Sequence, residues 1–301
     1  MRFWNFNKFL ILFLALSFFV AAGPVSAEIP KPWISFSSEK LQQGDTLIIK
    51  IKKEAGLGQP SAEFLLSKID FFKSEAGDWI GVVGVDAKKK TGKYALTINF
   101  PNGEKYEKKI GVVARKFPVT VLRVTKELKN QGYSPKNILG NMVSQEIPLL
   151  NKIFKNYLST AYFAKPFIYP LSKVEIGGDF GNIRKDQGVG FQHLGVDLEA
   201  EMQTPVYAVN DGAVSFADGL PTYGKTMIID HGLGIYSLYL HLSEFKFAKG
   251  DRVKRGDVIG LSGNSGYSIS PHLHFSIKLN GAAVDPLIFI ETSMVEMPMS
   301  R

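Results

Sequence analysis

The sequence predicts a mainly β protein: an N-terminal β-sandwich of the immunoglobulin-like kind, a short helical connector and a C-terminal antiparallel β domain. Three observations carry this expectation. Residues 28–117 hold several short runs rich in β-branched residues, separated by Gly, Pro and Asn turn signals. Residues 134–158 switch to apolar side chains at helical spacing. From 166 to about 290 the chain returns to short strand patterns punctuated by glycine, with no long helical period. The expected boundaries are a leader at 1–27, a sandwich at 28–117, a connector at 118–165 and a second domain at 166–301.

Arg2 and Lys8 precede an uncharged apolar run at 9–22, and Val25-Ser26-Ala27 supplies small residues at a cleavage point before Glu28. This is a secretory signal pattern, which places the mature chain in the periplasm or cell envelope. The run is short for a spanning helix, although left uncleaved it would anchor the protein. Apolar content of 45% and charged content of 21% are those of a globular chain with enough residues for a core. The net charge of +8 falls to +6 once Arg2 and Lys8 are removed. Such a surface favours anionic polymers, among them acidic cell-wall polymers, and no nucleic-acid motif accompanies it. Cysteine is absent, which excludes disulfides, thiolate metal sites, a thiol nucleophile and a lipid-modified cysteine. Any metal must take His and Asp.

In the first domain, strands are expected at 45–52, 63–72, 79–85, 94–100 and 107–114, with Pro101-Asn102-Gly103 as a hairpin turn. The domain has no histidine and no clustered carboxylates, so its expected role is to pack on, position or shield the second. In the connector, Ser134 before Pro135 reads as an N-cap with proline at N1. Ile138, Leu139 and Met142 follow at helical spacing, Pro148 interrupts, and Leu149, Leu150, Ile153, Phe154 and Leu158 resume it. One kinked helix or two short ones are expected, with the stripe making core contacts. In the second domain, strand patterns at 205–209, 211–217, 226–230, 235–241 and 257–261 surround a hairpin turn at His231-Gly232-Leu233-Gly234.

All five histidines lie beyond residue 190. His272 and His274 stand two apart in the strand-like run His-Leu-His-Phe-Ser-Ile, so both imidazoles share one sheet face and Leu273 and Phe275 the other. Paired imidazoles suit either a metal or proton transfer, and two histidines also share a face by chance. His193-Leu194-Gly195-Val196-Asp197 is a second element. In a flat strand four residues span about 13 Å, too far for both side chains to reach one ion. If both are ligands the chain bends between them, and Gly195 makes a bend cheap. His241, at the end of a hairpin strand, is a third element.

His193-x-x-x-Asp197 together with His272-x-His274 resembles the signature of the lysostaphin/LytM-type zinc metalloendopeptidases, a family of cell-wall hydrolases that includes peptidoglycan DD-endopeptidases. Phe180-Gly181, Thr204-Pro205-Val206-Tyr207-Ala208, Asp211-Gly212, Asp230-His231-Gly232, Tyr239-Leu240-His241-Leu242, Gly250-Asp251, Gly256-Asp257 and Val284-Asp285-Pro286 fall in that family's order, so the resemblance covers roughly 166–290. It implies that His193, Asp197 and His274 bind one Zn²⁺ per chain, and that His241 and His272 stay unliganded beside it as catalytic groups. Three N/O ligands leave a fourth position for water, the pattern of a catalytic rather than a structural site. There is no His-Glu-x-x-His, so the glutamate base of helix-borne zinc proteases is missing. The sequence departs from the family where Ile269-Ser270 replaces Thr-Gly before Pro271 and where Ser276 replaces Glu; both changes bear on the groove rather than on a ligand.

The remaining residues of interest read as structural. His231 belongs to its hairpin turn, Asp285 before Pro286 makes a turn or caps a strand end, and Tyr236 and Tyr239 are core or rim tyrosines before they are hydrogen-bond donors. The loop at 182–190, with Arg184, Lys185 and Asp186, could shape specificity, as could the loop at 263–270. The segment 165–172 enters the second domain near its first ligand, a position from which it could cover the groove.

The expected function is a zinc-dependent hydrolase of peptidoglycan cross-links acting on stem peptides, with D-Ala–diaminopimelate bonds favoured over glycine bridges and with a regulatory envelope protein as a further partner. A second reading is a catalytically silent cell-wall binding protein that activates an amidase; the complete ligand set argues against it. A third, a biotinyl- or lipoyl-carrier domain, needs a lysine at an exposed hairpin tip, and His231-Gly232-Leu233-Gly234 has none.

Overall fold

The computed structural model describes residues 31, 33–156, 158–186 and 188–297; the expected leader at 1–27 lies outside them. Among the described residues no helix is long and apolar enough to cross a membrane. The β-branched runs of the first part close into an eight-stranded sheet in the order Ile34–Phe36, Thr46–Ile51, Trp79–Gly84, Ser67–Lys73, Ser61–Phe64, Gly92–Asn99, Lys105–Val113, Lys40–Gln42. Strand Ser67–Lys73 joins its two halves: residues 67–70 pair with Ser61–Phe64 and residues 71–73 with Trp79–Gly84. Leu47, Ile49 and Val83 from one half meet Phe64, Leu96, Ile98 and Ile110 from the other in one buried cluster.

The single strand expected at 63–72 is instead a hairpin, Ser61–Phe64 and Ser67–Lys73. Leu65 and Leu66 form its turn at φ 55° and 70°, and Leu66 is fully exposed. Turns of this hand normally carry Gly or Asn, so two leucines concealed it inside an apolar run. The Pro101-Asn102-Gly103 turn is as expected, with the Gly103 amide donating to the Phe100 carbonyl at 3.0 Å and φ at 87°.

In the connector Ser134 caps as expected, its Oγ accepting from the Asn137 amide at 3.2 Å. Helix Pro135–Asn141 runs through a π-helical turn, Met142–Glu146, into helix Ile147–Phe154, so the interruption at Pro148 takes the form of a widened turn within one helical run. Two short elements escaped the sequence reading: helix Lys126–Asn130, capped by Thr125, and strand Val119–Val121, which pairs in parallel with Ile183–Asp186.

The second part is built on an antiparallel sheet in the order Ile176–Gly178, Val196–Glu199, His272–Leu279, Ile235–Leu242, Gly224–Asp230, Gly212–Leu220, Arg252–Val253. It ends in helix Pro286–Glu296, where no helix is expected from the sequence. The core of this part is continuous with the first: Ile48, Phe72, Ile80 and Val82 pack in one cluster with Phe167, Leu279, Val284 and Phe289.

Asp285 fastens this junction. It caps the last helix rather than a strand end, its Oδ1 accepting from the Leu287 and Ile288 amides at 3.1 and 3.5 Å. Its Oδ2 accepts from Arg115 Nη2 at 2.7 Å, and its amide donates to the Gly44 carbonyl at 2.8 Å. Arg115 stands at the end of the first sheet with its guanidinium against the rings of Phe117 and Phe180. Removing the carboxylate of Asp285 therefore leaves a helix uncapped and a half-buried guanidinium unpaired. Asp285→Ala is expected to cost about 3–5 kcal/mol in urea unfolding, and Asp285→Ser, which restores the cap alone, to recover about 1 kcal/mol of it.

Candidate metal centre

Three strands and one loop bring the site together. In register, Asp197 lies opposite His274 and Glu199 opposite His272 on the adjacent antiparallel strands, which sets both histidines on one face. Leu273 and Phe275 point to the other and are fully buried. His193 comes from the loop after strand Val189–Gln192, with its amide donating to the Asn182 carbonyl and its own carbonyl accepting from Gly181. The chain bends at Gly195 as expected and closes His193 Nε2 to 2.9 Å from Asp197 Oδ1. The close approach also requires glycine: a Cβ there would lie 2.5 Å from His274 Nε2 and 2.2 Å from Ser276 Oγ. Gly178 on the neighbouring edge strand yields space in the same way, since a Cβ would lie 2.6 Å from Asp197 Oδ2.

His193 Nε2, Asp197 Oδ1 and His274 Nδ1 meet at one point, the second pair at 2.8 Å and the two imidazole nitrogens also at 2.8 Å. Their outer partners fix what each atom presents. His193 Nδ1 donates to the Asp179 carbonyl at 2.8 Å, so the neutral ring shows a lone pair at Nε2. His274 Nε2 shares a hydrogen bond of 2.8 Å with Ser276 Oγ, and with the hydroxyl accepting, the inward Nδ1 is also a lone pair. Burial opposes ionisation of Asp197, but the charge and hydrogen bonds of His193 and then His274, when a proton sits on their inward nitrogens, overcome it and hold its carboxyl well below the usual range. With no inward proton, three acceptors face one another, and a single proton bridges only one pair of them at a time. A cation serves all three, so this His-Asp-His set fits a metal ion.

His272 and His241 complete the group without joining the three donors. His272 Nδ1 donates to the Ser270 carbonyl at 2.8 Å, and its Nε2 lies 3.6 Å from Asp197 Oδ1. His241 Nδ1 donates to the Ser265 carbonyl at 2.8 Å, and its ring centre is 4.9 Å from that of His272. Burial, then the fields of His272 and His274, push His241 down to about 3. Burial pushes His274 down to about 4. Both are neutral at neutral pH. His241 reaches the site through a β-bulge: Met227 pairs with Tyr239 but Lys225 pairs with Leu242, so Leu240 and His241 both lie opposite Thr226. His241 takes φ 61° there, a conformation that strand periodicity does not foretell.

The histidines open onto a cleft of about 1090 Å³ walled by the loop at 263–270, by the connector and by Leu171 and Ser172. The 165–172 segment is therefore rim and core, with Phe167 and Leu171 buried. Tyr236 and Tyr239 sit in the core, hydrogen-bonded to the Asn156 carbonyl and the Val209 amide. Two other tyrosines, Tyr223 and Tyr267, line the cleft; nothing in their local sequence marked them. His231 is structural, wholly buried with Nδ1 on the Asp211 carbonyl and Nε2 on Ser237 Oγ. Arg184 lies on a strand, not in a loop, and its Nη2 donates to Asp197 Oδ2 at 2.6 Å.

Residues 191–286 match the model of peptidase family M23. The chain carries an M23 peptidase domain. Over 95 residues it is 42% identical to a protein of Neisseria meningitidis serogroup B named DD-carboxypeptidase/endopeptidase Mpg, covering 32% of this chain and 22% of that one. Over 111 residues it is 39% identical to the glycyl-glycine endopeptidase ALE-1 of Staphylococcus capitis, covering 35% and 30%. A crystal structure of a putative M23 peptidase from Pseudomonas aeruginosa is similar over 82% of this chain and 93% of its own, with a TM-score of 0.56 and 25% identity. The chain thus spans less than a third of either curated relative, while the solved structure shares most of its architecture.

Two substitutions test the metal-site geometry. Ser276→Ala removes the acceptor that orients His274 and is expected to weaken zinc binding about tenfold. Gly195→Ala drives a methyl into His274 and is expected to weaken it further, with far-UV circular dichroism unchanged. Competition with a chromogenic chelator measures both.

Proposed function

We propose that this protein is a zinc-dependent endopeptidase that hydrolyses peptide cross-links of bacterial peptidoglycan outside the cytoplasm, with His193, Asp197 and His274 as the metal ligands. The supporting observation is the convergence of three ligand atoms, from His193, Asp197 and His274, beside two further histidines, each of which has its outer nitrogen tied to a backbone carbonyl. Zinc held there would polarise the scissile carbonyl and lower the pKa of a water molecule.

His241 and His272 carry the proton traffic. With their Nδ1 protons committed to the Ser265 and Ser270 carbonyls, each leaves Nε2 free. The desolvated His241 is held neutral, the form that accepts a proton from the attacking water. The imidazolium so formed is the acid that returns the proton to the leaving amine nitrogen. Burial, then the charge of Glu146, push the Tyr223 hydroxyl up, so it remains a donor on the cleft wall for the oxyanion of the tetrahedral intermediate. Arg184 occupies the second oxygen of Asp197 and leaves Oδ1 to face the site.

The D-Ala–diaminopimelate bond is the proposed target, because the relative at 42% identity is named a DD-carboxypeptidase/endopeptidase. Glycine bridges are the alternative, through the likeness to a glycyl-glycine endopeptidase. The apolar leader supports export, and the excess of basic residues favours approach to an anionic wall.

The test is digestion of purified diaminopimelate-type peptidoglycan by zinc-loaded residues 28–301, with products identified by mass. Cross-linked dimers are expected to become monomers, and His241→Ala and His272→Ala are each expected to slow this by about 10²–10⁴-fold while keeping their zinc. Cross-links left intact by the zinc-loaded protein, with stimulation of an added amidase, would establish the silent-activator reading instead.

A further inference from the structure

Glu146 is a carboxylate that neither the fold nor the proposed chemistry yet accounts for. It is fully buried, and its Oε2 has no hydrogen-bond partner. A buried carboxylate is costly, and burial raises its pKa despite the hydrogen bonds from Thr222 and Tyr223. It lies at the end of the π-helical turn Met142–Glu146 of the connector, and such widened turns concentrate where a side chain must be aimed. Its Oε1 accepts two backbone donors of one distant turn, Thr222 N at 2.5 Å and Tyr223 N at 3.1 Å.

That turn is gripped on one side and grips on the other. From the connector, the Tyr133 hydroxyl donates to the Pro221 carbonyl at 2.8 Å, and Thr222 Oγ1 donates to the Ile138 carbonyl at 3.5 Å. Towards the cleft, the Thr222 carbonyl accepts from the Tyr267 amide at 2.8 Å and the Tyr223 carbonyl accepts from the His241 amide at 3.1 Å. His241 is the bulged residue at φ 61°, a conformation an L-residue holds only where its surroundings over-determine it. The Tyr223 carbonyl is what receives its backbone N–H, and the two N–H groups that fix that peptide's neighbourhood end on Glu146.

We propose that Glu146 is a positioning residue for His241: through the Thr222–Tyr223 turn, the connector helix sets the bulge that aims the His241 imidazole into the cleft. The proposal rests on His241 being catalytic for its effect on rate, but not for its effect on structure. It gives the connector a part in catalysis beyond joining two β structures, and it explains why a charge is buried where a leucine would pack at lower cost.

The experiment uses zinc-loaded residues 28–301 with Glu146→Ala, Glu146→Asp and Glu146→Gln. Three readouts are taken: amide exchange at 222–223, the imidazole ¹⁵N resonances of His241, and the rate of wall digestion resolved into kcat and KM. Glu146→Ala is expected to speed exchange at the turn, to shift the His241 resonances and to lower kcat about tenfold or more, with KM and zinc affinity unchanged. Glu146→Asp withdraws the oxygens by one carbon and is expected to do the same in part, which keeps the test intact if the alanine variant does not fold. Glu146→Gln retains an oxygen acceptor and is expected to recover most of the rate. Faster exchange at the turn with His241 resonances and kcat as in the wild type would overturn the proposal and leave Glu146 as a structural latch. If the wild-type protein itself leaves peptidoglycan intact, the enzymatic reading fails, and exchange and resonances still decide whether Glu146 positions His241.

Discussion

Three ligand atoms pressed together at one point, two imidazole nitrogens and a carboxylate oxygen, are the constraint on which the rest of this structure turns. His193 Nε2, Asp197 Oδ1 and His274 Nδ1 stand 2.8–2.9 Å apart. The outer hydrogen bond to the Asp179 carbonyl commits His193 Nδ1 as a donor, so that ring turns its proton inward only by losing a buried partner, while Ser276 Oγ holds the outer nitrogen of His274. With the rings neutral and their inward nitrogens bare, the arrangement is repulsive, and a cation relieves it. The glycines at 178 and 195 are what let the backbone come close enough to create it. The two remaining histidines, like His193, set Nδ1 on a backbone carbonyl, and they stand back from the common point.

Around that centre the molecule spends its other parts on alignment. The antiparallel pair Val196–Glu199 and His272–Leu279 supplies a rigid floor in which register alone sets Asp197 beside His274. The loop at 263–270 supplies carbonyls to both free histidines. The connector supplies a wall, with Leu122, Leu128, Ile138 and Met142 packed against Tyr267. The first β structure shares a core with the second and is tied to helix Pro286–Glu296 by Arg115 and Asp285, so that helix also braces the two β structures together.

Much of this was legible in the sequence, and for identifiable reasons. Period-2 alternation put His272 and His274 on one face because a strand has no other option. Four residues of flat strand are too long for His193 and Asp197 to reach one ion, so a shared ligand role meant a bend between them, and the chain bends at Gly195. Ser134-Pro135 announced a helix start because capping is a local interaction. What escaped depends on long-range or left-handed backbone. The Leu65–Leu66 turn carries no turn residues. The bulge at His241 shifts a register that only the partner strand defines. The helix Pro286–Glu296 is apolar around most of its circumference, which blurs a helical period. Tyr223 and Tyr267 come to the cleft, and Glu146 to the Thr222–Tyr223 turn, from three separate segments, and no spacing rule connects them. The motif order that resembled the lysostaphin/LytM enzymes reached the correct domain, because a family signature encodes those distant contacts without stating them.

The most direct test of the account is X-ray absorption at the zinc edge on the zinc-loaded protein. Two imidazoles, one carboxylate oxygen and one further light atom are expected, about four scatterers in all. A shell with three or more imidazoles would place His241 or His272 on the metal and contradict their assignment to proton transfer. A shell without imidazole scattering would remove the metal centre itself.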